Sequence, residues 1–158
     1  MSRLFETQRS SVLFAQRVVL GLVLLPHGLQ KLLGWFGGYG LSGTLGYFSS
    51  VLHIPTAVGA LVIVTEVFGS VALVLGLGTR LAALGAASVM VGAALTSHVQ
   101  NGFFMNWFAN QKGEGFEYHL LALALAVPLI VRGGGAWAVD RLFARRGQSE
   151  VAVYAPAT

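Results

Sequence analysis

Four long apolar runs, separated by polar or aromatic connections, set the pattern of this chain: residues 12–33, 57–77, 81–99 and 116–131. A helix needs about 20 apolar residues to cross a hydrocarbon core, and the first three runs meet that length. The fourth is shorter and spans if Glu117 and Arg132 sit at its two interfaces. Arg17 lies near the start of the first run, where its long side chain can snorkel to the headgroups. A cleaved signal peptide is the competing reading. The length of the run, and a following Gly34-Trp35-Phe36-Gly37-Gly38 without the small-x-small form, favour a membrane span.

The connections carry their own information. Gly78-Thr79-Arg80 is so short that the second and third helices become antiparallel neighbours. Gly34 to Thr56 is rich in Gly, Ser and aromatics, with a short interfacial helix expected over 41–52. Gln100 to Gly115 is a second aromatic loop, holding Phe103, Phe104, Trp107 and Phe108. Gly133-Gly134-Gly135 stops the fourth run. Residues 136–146 then read as a surface helix, with Trp137, Leu142 and Phe143 among Arg141, Arg145 and Arg146. Residues 147–158 read as a disordered tail. The predicted fold is all-α: one domain over 1–146, an integral-membrane four-helix bundle with a short C-terminal interfacial helix.

Two helix faces stand out. Gly59, Val62, Glu66, Gly69, Leu73 and Gly76 follow one another at spacings of three and four, which turns Glu66 inward, away from lipid. Ser88, Gly92 and Thr96 form a small-residue face at spacing four, the pattern of close helix contact.

Composition supports the membrane reading. Of the 158 residues 55% are hydrophobic and only 10% charged, where soluble domains carry roughly 25% charged residues. The net charge of +4 does not point to nucleic acid, because the basic residues sit at chain ends and one turn rather than along a face. With four spans, Lys31 and Lys112 are the only ones of the 10 Lys and Arg on the side of the two aromatic loops. The positive-inside rule then puts both termini in the cytoplasm. Cysteine is absent, so disulfides, thiolate metal sites and a dithiol redox centre are excluded for this chain.

The candidate chemistry lies in the half of the bundle toward the aromatic loops. His27, Gln30 and Lys31 share a helix face, with His27 about 10 Å below the end of its helix. Glu66 lies about 14 Å down the second helix, near the midplane. An intramembrane carboxylate is a functional candidate by default. Its structural alternative is an ion pair with Lys31 or His27 that holds helices together. His98, Glu117 and His119 lie near the interface, where solvated polar groups are ordinary. Trp35 and Trp107 in the loops are membrane anchors or ring platforms. Glu117 and His119 are about 200° apart on a helix, so they cannot readily share a metal, and no metal site is predicted. Phosphate-binding glycine loops and a Ser-His-Asp arrangement are also missing.

Arg17, then Pro26-His27-Gly28-x-x-Lys31-Leu32, Glu66-x-x-Gly69, Leu75-Gly76-x-x-Thr79-Arg80-x-Ala82-Ala83, Met90 and His98 resemble the DoxX family of small bacterial membrane proteins. The likeness runs to Leu142 and includes Gly135 and Asp140, although Ala138-Val139-Asp140 stands where that family usually has Ser-Leu-Asp. The resemblance implies a multi-pass protein of the bacterial inner membrane. The family is named for a subunit of a thiosulfate:quinone oxidoreductase, and other relatives are associated with quinone, catechol or oxidative stress. It implies no agreed catalytic set.

The expectation is a quinone- or quinol-binding subunit of a membrane redox or oxidative-stress complex. Its catalytic candidates are His27 and Glu66. Lys31, His98, Gln30, Trp35, Trp107, Glu117 and His119 are its ligand-binding candidates. Quinone is the one cofactor it would use, and a redox partner protein would supply the electron-carrying centre. Two alternatives stand beside it: a non-enzymatic membrane scaffold or assembly factor, and a small exporter of hydrophobic phenols or quinones. Four helices suffice for export only if the chain forms a homo-oligomer.

Overall fold

The computed structural model describes residues 2–144, and the expected tail at 147–158 lies outside them, as do Arg145 and Arg146. Among the described residues there is no strand. The helices are α1 (Ser2–Phe5), α2 (Ser11–Leu33), α3 (Gly40–Ser50), α4 (Thr56–Leu75), α5 (Thr79–Asn101) and α6 (Glu117–Arg132). Of these, α2, α4 and α5 are long and apolar enough to cross a membrane, while α6 has 16 residues. Local chemistry sets the bounds of α2. The Ser10 hydroxyl accepts from the Leu13 amide at 3.3 Å to cap the start, and left-handed Gly34 (φ 74°) closes the end.

The helices α2, α4, α5 and α6 pack in a closed ring, each against the next and α6 back against α2. Their shared core holds Leu20, Leu24, Leu73, Met90 and Leu129 with the alanines of α5 and α6. Glycine sets how closely α2 approaches α4. A Cβ on Gly28 would lie 2.8 Å from the Glu66 carbonyl carbon and 2.9 Å from the Val67 amide nitrogen. By contrast, a Cβ on Gly92 meets nothing within 4 Å. One substitution should therefore have opposite effects at the two sites. Gly28→Ala is expected to cost about 1–3 kcal/mol by forcing backbones apart, and Gly92→Ala to gain up to about 1 kcal/mol in helix propensity. Thermal unfolding in detergent reads both.

The end of the bundle where α4 turns into α5 corrects two expectations. Arg17 does not snorkel: it is 1% exposed. Its Nε donates to the Gly134 carbonyl at 2.8 Å and its Nη2 to that of Ala136 at 3.2 Å. Its Nη1 donates to Leu73 at 2.9 Å and also to Val74. The last carbonyls of α4 form the negative end of the helix dipole, and although Leu73 also accepts from the Gly76 amide at 3.1 Å, a guanidinium with five donors is better used there than at the headgroups. Asp140 completes the clamp. Its carboxylate accepts from the amides of Gly78 at 2.6 Å and Thr79 at 2.9 Å, capping the start of α5.

The same contacts override the expected surface helix over 136–146. Residues 133–139 are not helical; Gly133 to Ala136 are buried under the bundle, and a helical turn begins only at 140. The carbonyls of Gly134 and Ala136 are engaged by Arg17, and Trp137 meets the Phe14 ring edge-on at 4.9 Å. Arg80 ties the same end together, donating to the carbonyls of Glu6 and Ile130.

Candidate functional site

Residues 65–75 of α4 pack against α5, whereas 56–64 stand away from it. The point of contact is marked by Gly85, where a Cβ would lie 2.9 Å from the Thr65 methyl carbon. The cleft between the two helices has a volume of about 1210 Å³. Most of its wall is apolar, and Tyr47 and Phe48 of α3 close one side. Here the small-residue face of α5 departs from the expectation of helix contact. Ser88, Gly92 and Thr96 line the cleft, and α5 buries Ala83, Ala86, Ala87 and Met90 instead.

Both helices change winding at the site. Thr65–Gly69 of α4 and Ala94–His98 of α5 are π-helical turns, a local insertion often found at functional sites. The first carries Glu66 and the second His98. Glu66 is 5% exposed, and its Oε2 lies 2.6 Å from the Nζ of Lys31, itself 25% exposed. Lys31 thus folds back toward the carboxylate, with its Nζ also 3.5 Å from the His27 carbonyl oxygen. Two opposite charges in such a wall are tolerable only as a pair, since each alone would carry a desolvation cost of several kcal/mol. Farther along the cleft, His98 Nδ1 is 2.9 Å from the Glu114 carbonyl oxygen, which also accepts from Asn101 at 3.0 Å.

Of the candidates named from sequence, Glu66, Lys31 and His98 therefore meet in one cleft. The others do not line it. His27 is exposed on the α2–α6 side, its ring 6.0 Å from Tyr118. His119 is buried behind His98, the two rings 4.3 Å apart. Gln30 donates to the Phe36 carbonyl at 3.2 Å and fixes the turn after α2. Glu117 accepts from the Met105 amide at 3.2 Å and fixes the second aromatic loop. Trp35 and Trp107 are exposed. Sequence reasoning missed Ser88, Asn101 and Glu114 as cleft residues. It also missed Tyr118, whose buried hydroxyl has no partner among the described residues. Among the described residues, no group of three or more His, Asp or Glu side chains is gathered to hold a metal.

Chemically, the pair offers an ammonium that can donate to an oxygen and a carboxylate that can accept from a hydroxyl or take its proton. The wall around the pair is mostly apolar, so a ligand there would meet two polar contacts in apolar surroundings.

A family model described as DoxX matches residues 12–99, a stretch that includes Arg17, Lys31, Glu66 and His98. A Bacillus subtilis (strain 168) protein named "Putative oxidoreductase CatD" is 27% identical over 124 residues, covering 78% of this chain and 81% of that protein. No solved structure matches.

Proposed function

We propose that this chain, which belongs to the DoxX family, holds a quinone or quinol ring at the Lys31–Glu66 pair as a subunit of a redox or oxidative-stress complex of a bacterial inner membrane. The observation that carries this reading is the pair itself, an ammonium and a carboxylate 2.6 Å apart in the wall of an apolar cleft. Lys31 donates a hydrogen bond to a ring oxygen, and Glu66 accepts one from a ring hydroxyl and exchanges its proton. A partner protein exchanges the electrons. The printed name of the Bacillus subtilis relative, "Putative oxidoreductase CatD", is in keeping with such a role.

In this reading α6 is the fourth span and both termini are cytoplasmic. Arg80 and Arg132 lie at the end of the bundle where the chain begins, and Lys112 lies at the other. Lys31 is committed to Glu66, so it does not weaken that bias.

The test is the small-molecule content of protein purified gently with native lipid. Wild type is expected to carry quinone in near-equal molar amount, and folded Glu66→Gln to lose most of it. A stable wild type without quinone overturns the reading. Glu66 would then serve as a helix contact in a scaffold, or as part of an exporter if the chain alone confers quinone resistance.

A further inference from the structure

Two buried polar atoms near the start of α6 take no part in the cleft. The Tyr118 hydroxyl and the Nδ1 of His119 are both enclosed, and neither has a hydrogen-bond partner among the described residues. His119 is only 6% exposed. Left dry, each atom would carry its full desolvation penalty, so a polar partner belongs beside it, and internal water commonly fills that place.

These atoms fall between the ion pair and the loop end of the bundle. Tyr118 packs against the shared core, and Glu66 is near enough for its charge to act on both Tyr118 and His27. In the other direction the Tyr118 and His119 rings are 5.6 Å apart, and those of His119 and His98 are 4.3 Å apart. His98 is half-buried beside Glu114, which is exposed. The Glu114 carbonyl oxygen can only accept, so the Nδ1 of His98 carries a proton, and in the neutral ring Nε2 holds the lone pair. Glu66, Tyr118, His119 and His98 are thus a succession of groups that can pass a proton, and ionisable groups inside a membrane bundle commonly serve such relays. The cleft wall at Glu66, mostly apolar, offers a proton no comparable path.

Resting on the reading that Glu66 exchanges the ring's proton, we propose that Tyr118, His119 and His98, bridged by internal water, carry protons between Glu66 and the aqueous side at the aromatic loops. A proton leaving the Glu66 carboxyl passes to water and then to the Tyr118 oxygen, which gives up its own. His119 takes that proton at Nδ1 and releases one from Nε2. His98 accepts it at Nε2 and releases its Nδ1 proton to water beside Glu114. One proton crosses in each passage, and no electron moves with it.

The test needs no quinone, so it fails separately from the ring site. The full chain in lipid nanodiscs is moved from H2O to D2O at an acidity where the Glu66 carboxyl band is present, identified by its loss in Glu66→Gln. The isotope shift of that band is followed by infrared spectroscopy. Tyr118→Phe, which removes only the hydroxyl, and His119→Phe are each expected to slow the shift at least tenfold with helix content unchanged. A purely structural role would move the melting midpoint and leave the exchange rate within twofold of wild type. That result in folded Tyr118→Phe overturns the route, and Glu66 then meets water through the cleft. Slowing in only one of two folded variants overturns it as well, because both groups must lie on the path. If His119→Phe does not fold, Tyr118→Phe decides alone.

Discussion

Arg17→Gln is expected to lower the thermal midpoint of the detergent-solubilised protein by roughly 10 °C or more, the largest loss of any conservative polar substitution among the described residues. The guanidinium is 1% exposed and supplies the donors for carbonyls of Leu73, Val74, Gly134 and Ala136. A glutamine amide has two donors and a shorter reach, so at least two of these four carbonyls lose the guanidinium's hydrogen bond, although Leu73 keeps that of the Gly76 amide. Each costs about 1–3 kcal/mol, and domains have only about 5–15 kcal/mol of stability to lose. The damage should extend past α4. With Gly134 and Ala136 released, the segment carrying Asp140 loosens, and Asp140 caps the amides of Gly78 and Thr79. Asp140→Asn is expected to cost less, about 1–2 kcal/mol, because an amide oxygen still accepts one of those bonds. Circular dichroism melts of the three proteins check the order. An Arg17→Gln midpoint within a few degrees of wild type would mean that the carbonyl cage contributes little.

The second large effect is expected at the ion pair, and it takes the form of a rescue. Lys31→Met leaves Glu66, 5% exposed, without its cation and should cost about 3–5 kcal/mol. Glu66→Gln alone should cost less, since Lys31 is 25% exposed and its ammonium already reaches the His27 carbonyl. Combining Lys31→Met with Glu66→Gln removes both charges and should recover most of the loss, giving a coupling of about 2–3 kcal/mol in a double-mutant cycle. Additive losses would show that the two side chains act independently. In that case the cleft wall would contain two separate polar groups rather than one two-point binding device.

Much of this architecture is legible in the sequence, and the exceptions share one physical cause. The apolar runs give the helices, and the spacing around Glu66 turns it inward, as found. Arg17 is different. Near the end of an apolar run a sequence suggests snorkelling, and nothing local contradicts it. The carbonyls that hold it belong to residues 117 and 119 positions away. Residues 136–139 fail for the same reason: their helical periodicity is overridden by the demands of Arg17 and of the amides that start α5. The face of Ser88, Gly92 and Thr96 is ambiguous by nature. The same spacing serves a helix contact and a cleft wall, and the outcome depends on where α4 separates from α5. The divergent part of α4, 56–64, runs up to a π-helical turn at Thr65–Gly69, which has no signature in residue type. His27 and Lys31 share a helix face, yet only the longer side chain reaches the carboxylate.

The measurement that bears most directly on the account is an infrared difference spectrum of wild-type protein loaded with a quinone whose carbonyl carbons are isotopically labelled. A ring oxygen held by the Lys31 ammonium should give a carbonyl band at lower frequency than the same quinone shows in empty micelles, and the shift should disappear in Lys31→Met. A folded, quinone-loaded wild type whose carbonyl band stays at the micelle value would contradict the claim that the Lys31–Glu66 pair binds the ring.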